Sequence, residues 1–391
     1  MWEVDSSKKI FRFTECSILR DHKIYKDDIW FCDGKIIDPQ EICSNNNNPV
    51  FYEAISLKDM IVSPGFIDLQ TNGGFGIDFT HDLITNPELL DTYSEGVLAH
   101  GVTSFCPTLV TAKPDVYHSL LSIMKKRVGG SHGAEVLGLH LEGPFINRLK
   151  KGGHAEEDIL DLHYGIDTLI DVYGDDFSNV MIITLAPELD ADFSVINWLT
   201  REKGIVVSFH HRDPGLIGLL GTKFTNPLYF TVITDGVHIH PAALKVAYNA
   251  HPDGVIIITD AISVMGLPDG IHNVGGKQIE IKGKSAFIAD TNTLCGSVNT
   301  MNESVKYFIH AVGCTVAQAL EAATLHPAQV LGITNKKGTL DFGSDADFVI
   351  LDHHLNVIST WIAGKLVYQN PEHKQEPSQP ILTSISDSSP V

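Results

Sequence analysis

From Ile61 to about residue 335 the chain alternates short apolar runs with amphipathic segments, and no other feature constrains its fold as tightly. Runs of strand length separated by helical patterns predict βαβ units and a parallel sheet covered by helices. Seven runs qualify: Gly65 to Leu69, Val102 to Phe105, Val136 to Leu141, Val180 to Leu185, Ile205 to Ser208, Tyr229 to Thr234 and Val255 to Thr259. Between the first two, Asn86-Pro87-Glu88 opens a helix, Leu89, Tyr93 and Val97 line its apolar face, and Gly101 closes it. A closed (β/α)8 barrel needs eight strands. The shortage falls at one place, because the stretch from Ser208 to Tyr229, which contains Pro214, is too short for a strand and its helix; a parallel crossover alone takes about a dozen residues or more. The expected fold is α/β, a (β/α)8 TIM-type barrel with one βα unit missing.

The two ends have a different texture. Residues 1–62 and 336–371 carry short strand-like pieces broken by turn signals, and are expected to pair as one small β-sandwich flanking a barrel of residues 63–335. The Asn45 to Asn48 run is a loop, and residues 372–391, rich in Ser, Pro and Gln, are expected to be a disordered tail. A length of 391 residues suits a barrel with an accessory domain. The net charge of −20 argues against a nucleic-acid partner, which would need a basic patch. Six scattered cysteines without a C-x-x-C pair fit free thiols in a reducing compartment. The N-terminus has no signal-peptide pattern, and no apolar run approaches the roughly 20 residues of a membrane span. A cytoplasmic protein with no membrane contact is expected.

Chemistry-bearing residues collect at the predicted strand ends, the rim where barrel enzymes place catalytic groups. In Leu139-His140-Leu141-Glu142-Gly143-Pro144-Phe145, Glu142 ends a strand just before a turn. In Asp68-Leu69-Gln70-Thr71-Asn72-Gly73, Gln70 and Asn72 stand where a His-x-His metal pair would stand, which disfavours a two-metal site; hydrogen-bonded turn amides are the equal alternative. His154 follows on a glycine-rich loop, where a lone histidine is more often a solvated side chain than a site residue. His238 and His240 share a face, either as a ligand pair or as an anion clamp. In His210-His211-Arg212-Asp213, Arg212 is suited to a phosphate or to its neighbour Asp213. Asp260 ends the continuous apolar strand Ile256-Ile257-Ile258-Thr259, a costly position unless it caps a helix or does chemistry.

Taken in order, these stretches resemble the N-acetylglucosamine-6-phosphate deacetylase family of the amidohydrolase superfamily, in its animal form. The matching segments are Pro64 to Gly73, His140 to Phe145, His210 to Gly215, Asp235 to His238, Thr259-Asp260-Ala261 and Gly338 to Gly343. The resemblance implies a barrel with a flanking β-sandwich, a homodimer, one zinc-like divalent metal, and removal of acetate from a sugar-phosphate amide in amino-sugar catabolism. It implies Glu142 as the carboxylate metal ligand, Asp260 as general base and acid, and His154 as the group polarising the amide carbonyl. Arg212, reaching across the dimer, and His238 are implied as phosphate contacts, and Gln70 and Asn72 are expected beside them in substrate binding.

The chain departs from the family where its strand is missing. The resemblance implies, after Val-Val-Ser, a Gly-His segment, a helix and a strand ending in Thr-His-x-x-Asn-Ala-Met, whose two histidines are metal ligands. This chain passes from Ser208 through Phe209 into His210-His211-Arg212. His211 is the candidate substitute for the first of them. Two functions remain open on the sequence: a metal-dependent deacetylase, and a non-catalytic isoform that serves as dimer partner or sugar-phosphate binder.

Overall fold

The computed structural model describes residues 9–41, 50–209, 228–291, 293–373 and the strand Ile381–Ile385. Each of the seven expected runs contains a strand, the third interrupted at Leu137-Gly138: β1 (Phe66–Thr71), β2 (Val102–Leu109), β3 (Leu139–Glu142), β4 (Val180–Leu185), β5 (Val206–Phe209), β6 (Phe230–Ile233) and β7 (Val255–Ile258). Strands β1 to β5 pair in parallel in chain order, and β6 pairs in parallel with β7. The four residues of β7, Val-Ile-Ile-Ile, are all buried, as expected of a parallel strand covered on both faces.

The sheet curls until β7 meets β1. There the Asp260 amide donates to the Gln70 carbonyl (2.9 Å), the Asn72 amide to the Ala261 carbonyl (2.7 Å), and the Thr259 hydroxyl to Asp68 (2.5 Å). Helices cover the outside. In Met301–Val312 the buried residues Met301, Ser304, Val305, Phe308 and Val312 recur at the three- and four-residue spacing of one helix face. The next helix, Val316–Ala322, starts at a reciprocal cap in which Thr315 and Gln318 satisfy each other's amides. Gly101, left-handed at φ 78°, closes the helical segment after Leu89–Gly96.

Both ends of the chain build the flanking sheets. One has the order Ile381–Ile385, Val50–Ser56, Ile10–Thr14, Ile29–Cys32, Lys35–Ile36; the other runs Lys365–Gln369, Val357–Ile362, Phe348–Leu351, Ile61–Pro64, Ser17–Arg20, Lys23–Lys26. Phe13 and Phe31 from the first meet Phe348 and Trp361 from the second, with Phe13 ring centroids 4.9 to 5.4 Å from the other three. The expectation of a tail without structure is corrected at Ile381–Ile385, which pairs antiparallel with Val50–Ser56. The sequence Ile-Leu-Thr-Ser-Ile is rich in β-branched residues and has an edge strand to extend. Lys337 joins sandwich to barrel: it is buried and its ammonium reaches Asp347 and Glu135, the latter at 2.8 Å.

A further antiparallel sheet of four strands, Gly270–Val274, Lys277–Lys282, Ser285–Ile288 and Leu294–Ser297, follows β7. It folds over the rim at which β7 ends. Among the described residues no helix is long and apolar enough to cross a membrane.

Candidate functional site

Asp260 leaves β7 in the left-handed region (φ 47°), which a short polar side chain tolerates better than a branched one. The turn directs its carboxylate toward β1. There Gln70 Nε2 (3.1 Å) and Asn72 Nδ2 (2.9 Å) both donate to Oδ1. Burial pushes the Asp260 carboxyl up to about 7, the nearby Glu142 charge adds to this, and the donors with His238 pull back only in part. Below it lies Asp68, also buried, which accepts from the Thr259 hydroxyl and from the Thr259 and Gln70 amides (both 3.3 Å). Asp68 therefore ties together the two strands that carry Gln70 and Asp260.

Glu142 is placed by β3 and by the turn that follows. Gly143 stands at φ 84°, and a Cβ there would fall 2.2 Å from Thr111 Oγ1, so only glycine fits. The Gly143 carbonyl accepts from Tyr117 (2.9 Å) and Tyr173 (2.6 Å), two buried hydroxyls that hold the turn from below. His140, two residues earlier on the same strand face, lies deeper in the sheet. Its ring bridges the Leu69 carbonyl (3.0 Å) and Thr184 (2.7 Å), and burial lowers its pKa, so it is a neutral strap inside the sheet.

His154 is brought to Glu142 by its loop, with Nε2 3.8 Å from Glu142 Oε1. Its Nδ1 lies 2.8 Å from Thr111 Oγ1 and accepts weakly from the Thr111 amide (3.4 Å). An amide donor at Nδ1 assigns the proton of a neutral ring to Nε2, on the Glu142 side. Asn72, Glu142, His154 and Asp260 line one cavity of about 160 Å3, roofed by Val274, Gly275, Ile279 and Cys295 of the antiparallel sheet. Asn72 Oδ1 is buried and has no hydrogen-bond partner among the described residues.

The other expected positions separate. Gln70 also faces a neighbouring cavity of about 290 Å3 between β5 and β6. His238 bonds Asp235 and lies near enough to Asp260 for their charges to interact. The reading of His238 and His240 as a ligand pair is corrected: β6 ends at Ile233, and His240 Nδ1 caps the helix Pro241–Ala250 by accepting from Ala242 (3.2 Å). His211 and Arg212 lie outside the described residues. The pattern reading passed over Thr111 and the roofing sheet, which meet the site from far along the chain. Asp235 had a signal, as the first residue of the Asp-Gly-Val-His turn.

Amidohydrolases are generally metal-dependent. Glu142 and Asp260 face each other with His154 beside them, but no group of three His, Cys, Asp or Glu side chains among the described residues is arranged to hold a metal ion. The described donors do not complete a metal site.

The amidohydrolase family model matches residues 61–367. The N-acetylglucosamine-6-phosphate deacetylase of Homo sapiens is 43% identical over 406 aligned positions, covering 94% of this chain and 98% of the human protein. That of Danio rerio is 42% identical over 399, covering 93% and 98%. Because 406 positions exceed the 391 residues of the chain, of which only 94% are aligned, about 38 positions of the human alignment face no residue here. Among solved structures, the deacetylase from Mycobacterium smegmatis in complex with N-acetyl-D-glucosamine-6-phosphate superposes with a TM-score of 0.74 at 23% identity, covering 93% of this chain and all of that one. The Thermotoga maritima enzyme gives 0.73 at 23% identity, with 92% and 100% covered. These structures share the TIM-barrel-like fold with its β-sandwich. The chain belongs to the amidohydrolase family, in the branch of the N-acetylglucosamine-6-phosphate deacetylases.

Proposed function

We propose that this chain hydrolyses the acetamide of N-acetyl-D-glucosamine 6-phosphate to D-glucosamine 6-phosphate and acetate. The observation that carries the reading is Asp260, a buried carboxylate pushed up to about 7 and facing Glu142 and the Nε2 edge of His154 in one cavity. A general base works best with a pKa near the working pH. Both amides, Gln70 and Asn72, donate to Oδ1, which leaves Oδ2 to take the proton of the attacking water. The same carboxyl returns that proton to the departing amine. His154, with its proton on Nε2, donates to the amide oxygen as negative charge develops there. His238 serves as a cation for the phosphate. Glu142 is the carboxylate at which the expected zinc-like ion would be sought, but no step is derived through a metal that the described donors do not complete. The comparisons do not favour a non-catalytic role.

The reading includes a barrel short of one strand–helix unit between β5 and β6. Residues 210–229 are all that separate these strands, residues of both line the second cavity, and about 38 positions of the human relative have no counterpart. It also includes a homodimer, which light scattering of the purified protein checks. The function is tested by expressing the full 391-residue chain and measuring acetate release from N-acetylglucosamine 6-phosphate, with and without added zinc. Turnover that vanishes in Asp260→Asn is expected. A folded wild-type protein no faster than that variant overturns the reading.

A further inference from the structure

After β6 the chain is clamped. Thr234 donates to the Ser304 carbonyl (2.9 Å), and Asn299 donates to the Thr234 carbonyl (3.3 Å) and to the Ser304 hydroxyl (3.0 Å), which fixes the strand end against the helix Met301–Val312. The next residue, Asp235, is buried and shapes its own turn. Its Oδ1 accepts from the amides of Val237 (2.8 Å) and His238 (3.0 Å). Gly236 between them sits at φ 81°, where a Cβ would fall 2.9 Å from the Tyr307 ring. The turn folds the His238 imidazole back onto Asp235, with Nδ1 2.6 Å from Oδ2.

Both oxygens of Asp235 are thus spent inside the turn; neither Asp235 nor His238 lines the site cavity itself, and His238 meets it through its charge interaction with Asp260. Its effect passes through the histidine. A carboxylate on Nδ1 assigns that nitrogen its proton and steadies the ring, which leaves Nε2 as the edge turned to other partners. Burial alone pulls the His238 pKa down; the Asp235 hydrogen bond and charge, then the Asp260 charge, more than offset it, and the net shift is upward. A chain of net charge −20 needs such a local cation to hold an anion.

We infer that Asp235 is a positioning residue for substrate binding, which holds His238 as an imidazolium with Nε2–H presented to the phosphate of the sugar phosphate. The inference rests on the deacetylase reading and extends it to a residue that reading does not use. Asp235→Asn keeps an oxygen for the two turn amides but turns an N–H toward Nδ1, so the ring becomes neutral while the turn survives. The loss of one charge-assisted contact corresponds to about a tenfold weaker affinity.

The test uses the full chain and glucosamine 6-phosphate, which has no acetamide to hydrolyse. Calorimetry measures its binding to wild type, Asp235→Asn and His238→Gln, and nitrogen-detected NMR reads the charge state of the His238 ring at pH 7. Expected are a tenfold loss in Asp235→Asn, a loss at least as large in His238→Gln, and a wild-type imidazolium that becomes neutral in Asp235→Asn. Undiminished binding by His238→Gln would refute the phosphate role of His238 and with it this part of the function. A loss in His238→Gln with none in Asp235→Asn overturns the positioning role alone. If Asp235→Asn fails to fold, a neutral His238 ring in the wild type overturns the inference and an imidazolium supports it.

Discussion

Removing the Asp68 carboxylate should reveal the latch between the first and last strands of the curled sheet. Asp68 accepts three donors in a buried position: the Thr259 hydroxyl (2.5 Å), the Thr259 amide and the Gln70 amide (3.3 Å each). Asp68→Ala strands both amides, while the hydroxyl can fall back on the Gln70 carbonyl at 3.4 Å. At about 1 to 3 kcal/mol for each buried donor left without an acceptor, the expected loss for the two amides is about 2 to 6 kcal/mol. Asp68→Asn keeps an acceptor for the amides, and the Thr259 hydroxyl can turn to accept from the new N–H, so at pH 5 it should cost under about 1.5 kcal/mol. The pH dependence distinguishes the variants further. Burial pushes the Asp68 carboxyl up to about 7 against its hydrogen bonds. A carboxyl whose folded pKa exceeds its unfolded value near 3.9 keeps its proton in the folded state, so stability is greatest at low pH and falls as pH rises from about 4 through 7. Between pH 5 and 8 that costs the wild type about 2 to 3 kcal/mol, which Asp68→Asn does not suffer. Urea unfolding at both pH values measures each variant against wild type, which cancels the groups they share. An Asp68→Ala protein within 1 kcal/mol of wild type, or a difference between wild type and Asp68→Asn that ignores pH, refutes the latch.

Other perturbations reach the site and its frame. Asp260→Asn should lower acetate release by about 10^3-fold without lowering the melting temperature, because it takes an acid out of a buried place; a residual rate near wild type excludes the proposed base. The wild-type rate should rise with pH through about 7 as Asp260 loses its proton, and a rate flat from pH 6 to 8 speaks against that assignment. Thr111→Val removes the hydroxyl on His154 Nδ1 and should lower kcat about tenfold with little change in KM, the cost of one hydrogen bond that steadies the ring; equal loss in both parameters would point to binding instead. Lys337→Ala leaves Glu135 and Asp347 facing each other without their cation and should cost about 3 to 5 kcal/mol in urea unfolding, a loss absent if the cluster is well solvated.

What was legible in the chain follows the range of the interactions. Strand β7 could be read from Val-Ile-Ile-Ile because a strand buried on both faces needs nothing but β-branched apolar residues, and its end then marked Asp260. Glu142 could be read for the same reason, from a strand and a turn adjacent in sequence. The antiparallel sheet over the cavity could not: its first strand, Gly-Ile-His-Asn-Val, is mostly exposed and lacks a strong alternation, so the pattern names no face for it to bury. Thr111 and His154 are 43 residues apart, and Asp68 and Thr259 are 191 apart, so neither pair leaves a local trace. Histidines show the opposite case, since spacing alone put His238 and His240 on one face and left a ligand pair or an anion clamp open. Local backbone gave one to a helix cap and the other to Asp235. The short connection between β5 and β6 belongs to a third kind, a feature visible only as a deficit in a count. It bears on the site through geometry. Asp260, Gln70, Asn72, Glu142 and His154 all rise from β7, β1, β3 and the loop after β3, so the proposed proton transfer and carbonyl polarisation use no residue of the connection between β5 and β6. A metal is not arranged so readily, because the described donors do not complete a site for it. Zinc-supported turnover by the 391-residue chain would therefore need a ligand beyond the described donors, for which His211 is the sequence candidate, and His211→Ala should then abolish metal binding while leaving the pH dependence of Asp68 unchanged.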